Sequence, residues 1–554
     1  MQQNVRQLET ILFWPLSLHA TGPLFEARAN EKRPPSDWLK DYAEYIAKDT
    51  PWHRCEDPLK EGFGVEGLSE DKRSSFAEFV YFHPFIQKIL YPAADKGRAM
   101  EVLFRRDVTG LQLKLAGDSD PIEFAVKRLQ LFLFTTDLAV IAVHLSLPGI
   151  DTAFSFQHAC DLLNTVRRTY PPFFAGDQPG QSPLWAAWRL RDGTLSAKGN
   201  YENWQGLTQS TLKEKTPPVV EHWAFLLKKL EPWAPLRLAQ LSGKERKNKP
   251  TQLYYEQLGD ERAHAMVYLT LDDPSLLPED QQYRLAFLDQ GGEGWEYNAD
   301  FLRPQAKDIF YDRFWHVKTR YMVTGYSFGV LTAPDAPSYL FQHFQQHYFM
   351  LTLLALIQKN SLLIFWDRLT NLLTHFSATS GREAREIYHN EQRWLAQDFS
   401  YYLARFDFSE VSNQLQPLEL FEMMRRNMRL DKVKAEVLQQ LEYARDIENG
   451  NYEEGLTKLA NRWIPVSLAL AFLGLSIGMG SYGDWLKAVD PGSKTWWNAT
   501  LGWEGPLVIV SVGGAWMVFW LMVHWRRWPW MDRFRSRRDL DKTRSGAMGA
   551  GKRF

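Results

Sequence analysis

The chain has 554 residues, enough for two or three domains each with its own core, and its charges nearly cancel, with Lys+Arg 65 against Asp+Glu 66 and a formal net charge of -1. That balance supplies no global attraction for nucleic acid, so no nucleic-acid partner is expected and only local charge asymmetry is left to read. Two cysteines, Cys55 and Cys160, exclude a disulfide framework and suit a reducing compartment.

In chain order, the opening "MQQNVRQLETILFWPLSLHA" lacks a basic start, a long apolar stretch and a small-residue cleavage site. No signal peptide is read, and the chain is expected to start in the cytoplasm. The stretches "LETILFWPLSLHA", "MEVLFRRDVTGLQLKLAG" and "RLQLFLFTTDLAVIAVHLSLP" have the aromatic and β-branched content of strands, with hairpin turns expected at 107–110 and 135–137. A helix is expected in "DTAFSFQHACDLLNTVRRTY". A Pro/Gly-rich break, "YPPFFAGDQPGQSP", and a charged loop, "SGKERKNKP", then precede further strands expected near "AMVYLTL", "YRLAFLDQ" and "RYMVTGYSFGVLTA". This is an α+β region over 1–335, read as two related halves with a break near 170–250.

From 336 to about 460 the pattern is that of long helices, a stalk region. "YLFQHFQQHYFMLTLLALIQKNSLLIFWDRLTNLL" is apolar on nearly all sides but interrupted by His343, His347, Gln358, Lys359 and Asp367, which predicts a buried helix rather than a membrane span. Further on, Leu430, Val433, Val437, Leu441 and Ala444 recur at three- and four-residue intervals, a stripe for packing against another helix.

Motifs for soluble chemistry are weak. "GGEG" lacks the length and ending of a phosphate loop, and its turn chemistry explains it better. "WHRCED" gathers His53, Cys55, Glu56 and Asp57 without a second ligand cluster. His343 and His347 stand one helical turn apart, the spacing for two imidazoles on one metal ion and equally for helix packing.

Against a mean hydropathy of -0.37, residues 463–483 and 505–525 carry no Asp, Glu, Lys or Arg. Each is about the 20 residues needed to cross a hydrocarbon core. Trp463, Trp503, Trp525 and Trp528 fall where interfacial aromatics belong. The arginine-rich "HWRRWPWMDRFRSRR", with Lys458 and Arg462 ahead of the first segment, places both ends in the cytoplasm and 484–504 outside. Residues 526–554 form a basic cytoplasmic tail. The expected setting is a bacterial-type inner (plasma) membrane, with lipid as a partner.

This layout, an α+β domain, long helices, a span, a short outer loop, a second span and a basic tail, resembles the CorA-type divalent-cation transporter family. The resemblance covers roughly the last 200 residues and rests on Leu456-Thr457, Pro465 with Ser467, and Gly478-Met479. It implies a homopentamer whose first spans line a central pore, with a divalent cation, Mg2+ above all, as the ion. Two departures stand out. Gly480 replaces the family's asparagine, whose side-chain carbonyl faces the ion, and Pro465 to Gly478 is about one helical turn longer than the family's spacing. Gly478, Met479 and Gly480 form either a pore mouth of backbone carbonyls or a plain helix end. Ser467, Ala471 and Gly474 continue a small face that either lines a pore or packs against a helix. Asp484, Asp490 and Glu504 would attract cations in the outer loop. The functional expectation is a divalent-cation channel gated by its cytoplasmic domain. The alternative is a membrane-anchored sensor or effector whose amino-terminal domain binds a ligand or partner.

Overall fold

The computed structural model describes residues 3–30, 35–61, 79–91, 97–150, 154–170, 183–200, 219–233, 243–260, 262–290, 297–378 and 382–448, with the pairs 174–175 and 178–179. The chain divides into the units Met1–Ala444 and Arg445–Phe554. Both uncharged segments, the outer loop and the basic tail therefore lie outside the described residues.

A mixed sheet, fourteen-stranded among the described residues, organises the first unit. Its main strands are β1 (Val5–Thr21), β2 (Met100–Arg105), β3 (Val108–Lys114), β4 (Ile122–Phe134), β5 (Leu138–Ser146), β6 (Trp185–Leu190), β7 (Gln252–Gln257), β8 (His264–Leu271), β9 (Arg320–Val323) and β10 (Ser327–Thr332). The spatial order is β6-β3-β4-β5-β1-β8-β10-β9. Neighbours run antiparallel except β8 and β10, which are parallel. β1 sits in the middle because its 17 residues reach three partners. β5 pairs along one edge, while β8 and then β7 share the other. The two halves expected on either side of 170–250 thus share one sheet.

Two sequence expectations fail here. No hairpin forms at 107–110, because β2 and β3 lie end to end along the same edge of β4. β4 is 13 residues long and accommodates both, with its register against β5 shifting between Val126 and Arg128, where the partner changes. The expected strand at "YRLAFLDQ" is instead the helix α4, introduced below. A short apolar run does not distinguish strand from helix by itself. Here Pro278 at the N-cap and Glu279 and Asp280 in the first turn favour the helix by dipole and geometry. The hairpin at 135–137 does form, with Asp137 at φ +60°.

Alternating residues along the central strands bury both faces. On one face Leu12, Trp14, Ile141, Val143, Val267 and Leu269 meet α1 (Gly22–Ala29), α2 (Pro35–Ala47), α3 (Phe156–Val166) and α4 (Glu279–Phe287). Gly22 at φ +62° allows the sharp passage from β1 into α1, where a Cβ would stand 2.7 Å from the Lys249 carbonyl oxygen. On the other face Phe13, Val140, Ala142 and Met266 meet α5 (Ser338–His343), α6 (Phe349–Ala378), α7 (Arg382–Arg405), α8 (Leu415–Asn427) and α9 (Leu430–Glu448).

The helix Ser338–Thr374 is long and apolar enough to cross a membrane, yet 83% of its most apolar window is buried within the protein. Its Phe349 stacks on Phe13 at 5.3 Å and touches Phe132 and His144. The stripe on α9 is spent in the same core. Leu430, Val437 and Ala444 are buried and Val433 and Leu441 pack beside them, so the expected partner of the stripe is this chain's own helical layer.

The two layers meet at the 135–137 turn. Arg28 from α1 donates Nε to Asp137 Oδ1 at 3.0 Å and Nη2 to Oδ2 at 3.0 Å, and it also pairs with Asp398 of α7. Arg368 of α6 donates Nη1 to Asp398 at 3.1 Å and pairs with Asp137. Trp38 and Trp394 cover the Arg28 guanidinium at 4.5 and 5.1 Å. Burial alone would raise the Asp137 carboxyl, but the two guanidinium groups outweigh it and hold it below the ordinary value.

Asp137→Asn keeps a residue type that tolerates the left-handed turn and removes the charge, leaving two buried arginines short of a partner. It should destabilise the protein by about 3–5 kcal/mol, read as a lower thermal midpoint, whereas Lys40→Gln at the exposed Lys40–Glu44 pair should change nothing measurable. Because the folded Asp137 is depressed, its stabilisation is present above the unfolded value of about 3.9 and is lost as pH falls through the folded one. Wild type should therefore lose more stability on acidification than Asp137→Asn.

Candidate functional site

Among the expected site residues, the structure describes His343 and His347. Between α5 and α6, residues Phe344–Tyr348 form a π-helical turn. Such a turn inserts one residue into the coil and often marks a functional position. The His343 and His347 rings stand 4.7 Å apart and edge to face, and Tyr81 stacks on His347 at 4.0 Å. Tyr339 lies 5.5 Å from His343. Behind them the Tyr348 and Tyr321 hydroxyls are 3.1 Å apart, and Gln416 of α8 donates its amide to Tyr348 at 2.9 Å. With its oxygen accepting from Gln416, the Tyr348 hydroxyl proton is free to point at Tyr321. Further out, Tyr311 donates to Glu419, which also accepts from Arg313 at 3.0 Å.

Around the π-helical turn, burial sets the state of the rings. Burial lowers the His343 pKa, and burial raises those of Tyr81, Tyr321 and Tyr348. Tyr311 is pushed up to about 12, by burial first and by its bond to Glu419 second. At neutral pH these phenols keep their protons, so the cluster offers hydrogen bonds and ring faces rather than an anionic nucleophile. As a metal centre it is incomplete. Two imidazoles need further ligands, and the described residues contain no group of three or more His, Cys, Asp or Glu placed to hold an ion. At the other sequence-noted cluster, Cys55 is buried and its thiol is raised by burial, while His53 is exposed on its strand.

Gly478, Met479, Gly480, Ser467, Ala471, Gly474, Asp484, Asp490 and Glu504 lie outside the described residues, and with them the Mg2+ path expected from the resemblance. Residue spacing did reveal the histidine pair. It did not reveal Tyr81, which stacks on His347, or Tyr321 and Gln416, which meet Tyr348, all from distant segments. No family model matches this chain, and neither a curated protein nor a solved structure matches it.

Tyr348→Phe removes one hydroxyl and leaves the Gln416 amide and Tyr321 hydroxyl each without that partner. The expected cost is about 1–3 kcal/mol. A thermal midpoint equal to wild type would mean that water replaces the hydroxyl and that the network contributes no net stability.

Proposed function

We propose that the chain is a membrane-anchored sensor or effector. Its amino-terminal unit recognises a ligand or partner in the cytoplasm, and the uncharged segments 463–483 and 505–525 fasten it to the bilayer. The observation that carries this reading is the fate of the α9 stripe. Leu430, Val437 and Ala444 are buried against their own unit, so the helix leading toward the first uncharged segment does not offer that stripe to neighbouring subunits. The sheet and its two helical layers form a large folded body ahead of the anchor, as a recognition module requires. Lipid is then the constant partner.

A second reading is a CorA-like homopentameric channel for divalent cations, with the magnesium ion favoured by the resemblance. The Leu456-Thr457, Pro465 and Gly478-Met479 matches favour it, and its pore mouth would be Gly478, Met479 and Gly480.

Flux separates the two. Purified protein in liposomes should give no magnesium uptake above empty liposomes if the segments are an anchor. Uptake that Gly478→Val abolishes would replace the sensor reading with the channel. Under both readings a reporter fused after Phe554 should be active only as a cytoplasmic reporter.

A further inference from the structure

A second buried arginine has surroundings unlike those of Arg28. Arg167 follows the last residue of α3, and its neighbour Arg168 forms an antiparallel bridge with Arg262, while the Ala263 N–H donates to the Arg167 carbonyl at 2.7 Å. These contacts bring two basic segments side by side. The Arg167 side chain is fully buried. Its Nη2 donates to the carbonyl oxygens of Leu288 at 3.1 Å and Phe287 at 3.4 Å, at the C-terminal end of α4, where Leu288 turns at φ 51°. Among the described residues, its Nε and Nη1 have no hydrogen-bond partner.

The guanidinium groups of Arg167 and Arg262 both lie against the Tyr326 ring, at 5.4 and 5.7 Å from its centre. The nearby Asp289 accepts from the Tyr297 hydroxyl and stands 3.8 Å from Arg262. Among the described residues, no ion pair holds Arg167. Burial first, and the like charge of Arg262 second, bring its pKa down to about 10. A buried cation with open donors is costly, so a fold retains it where something else meets the charge.

We propose that Arg167 and Arg262 form a binding site for a phosphate-type oxyanion, entered from the side of the partly exposed Arg262 and walled by Tyr326. Two guanidinium groups on one ring favour a dianion with several acceptor oxygens over a single carboxylate. The Nε and Nη1 donors of Arg167 would meet its oxygens, and Arg262 would turn from Asp289 to share it. This deepens the sensor reading by naming a ligand class and rests on that reading for its biological use. Anion binding and ion flux are separate measurements, so either can fail alone.

Full-length protein in nanodiscs of neutral lipid is titrated with inorganic phosphate and with glycerol 3-phosphate, at constant ionic strength. Binding is followed calorimetrically and as a shift in thermal midpoint. A parallel sample carries phosphatidic acid in the nanodisc. Saturable stabilisation by a soluble phosphate, weakened tenfold or more by Arg167→Met and by Arg262→Gln, is the expected result. Stabilisation only in phosphatidic acid, lost in the same variants, would assign the phosphate to a lipid headgroup. Without phosphate, Arg167→Met should match or exceed the wild-type midpoint, because it removes a buried charge that no ion pair among the described residues holds. Should Arg167→Met fail to fold, Arg262→Gln still reads the site from its exposed side. No saturation below about 10 mM, a threshold set far above specific affinities, or binding unchanged in Arg262→Gln, would overturn the proposal.

Discussion

The ion network of Arg28, Asp137, Arg368 and Asp398 is the constraint through which the two faces of the sheet are joined. Removing four charges from water is expensive, on the order of several kcal/mol for each ion. The arrangement repays this by alternating sign around a closed circuit and by covering Arg28 with Trp38 and Trp394. The circuit draws one member from α1, one from the β4–β5 turn, one from α6 and one from α7. The same turn is tied to the central strand, since the Leu18 N–H donates to the Asp137 carbonyl at 2.8 Å. Displacing any one of these elements would strand at least one charge in the interior.

Comparison of Arg28 with Arg167 shows how surroundings set the state of one side chain. Both are buried. For Arg28, burial alone would weaken the proton's hold, but two carboxylates outweigh it and raise the pKa. For Arg167 the nearest strong influence after burial is another arginine, and the pKa falls. The first is a finished joint between layers; the second is an open one. The π-helical turn stands between these extremes, with Tyr348 and its neighbour Tyr321 carrying polarity as phenols whose pKa values burial raises. Packing holds its geometry, because Tyr348, Phe349 and Tyr81 are committed to the core on several sides.

Much of the sheet was legible in the sequence because its central strands are long apolar runs buried on both faces. "RLQLFLFTTDLAVIAVHLSLP" reads as two strands about a tight turn, and the left-handed Asp137 fits that turn. The long apolar helix was legible as buried because His343, His347, Gln358 and Lys359 interrupt it. Gln358 in fact donates to the Phe406 and Phe408 carbonyls, and Lys359 to that of Gly325. Pairing was less legible. Nothing local to β2 and β3 says that they lie end to end on β4 instead of folding on each other, since that depends on the length of a third strand. The helix α4 was misread because five apolar residues among the eight of "YRLAFLDQ" carry no clear period. The ion network was invisible, since positions 28, 137, 368 and 398 become neighbours only after the whole unit folds. The histidine spacing was visible, but the π-helical turn that shapes it follows from tertiary packing.

The central place of β1 has a consequence for biogenesis. Its amino-terminal half is sealed by β8, whose residues are made some 250 positions later. At about 5–20 residues per second, roughly ten to fifty seconds separate the two strands on the ribosome. β5 arrives earlier and can cover one edge, but the other stays open, an apolar edge of the kind that aggregates or recruits chaperones. The uncharged segments emerge after α9, when the sheet and all its helices have already been translated. A nascent chain of this order must shield the open edge of its central strand until β8 and β7 have been made.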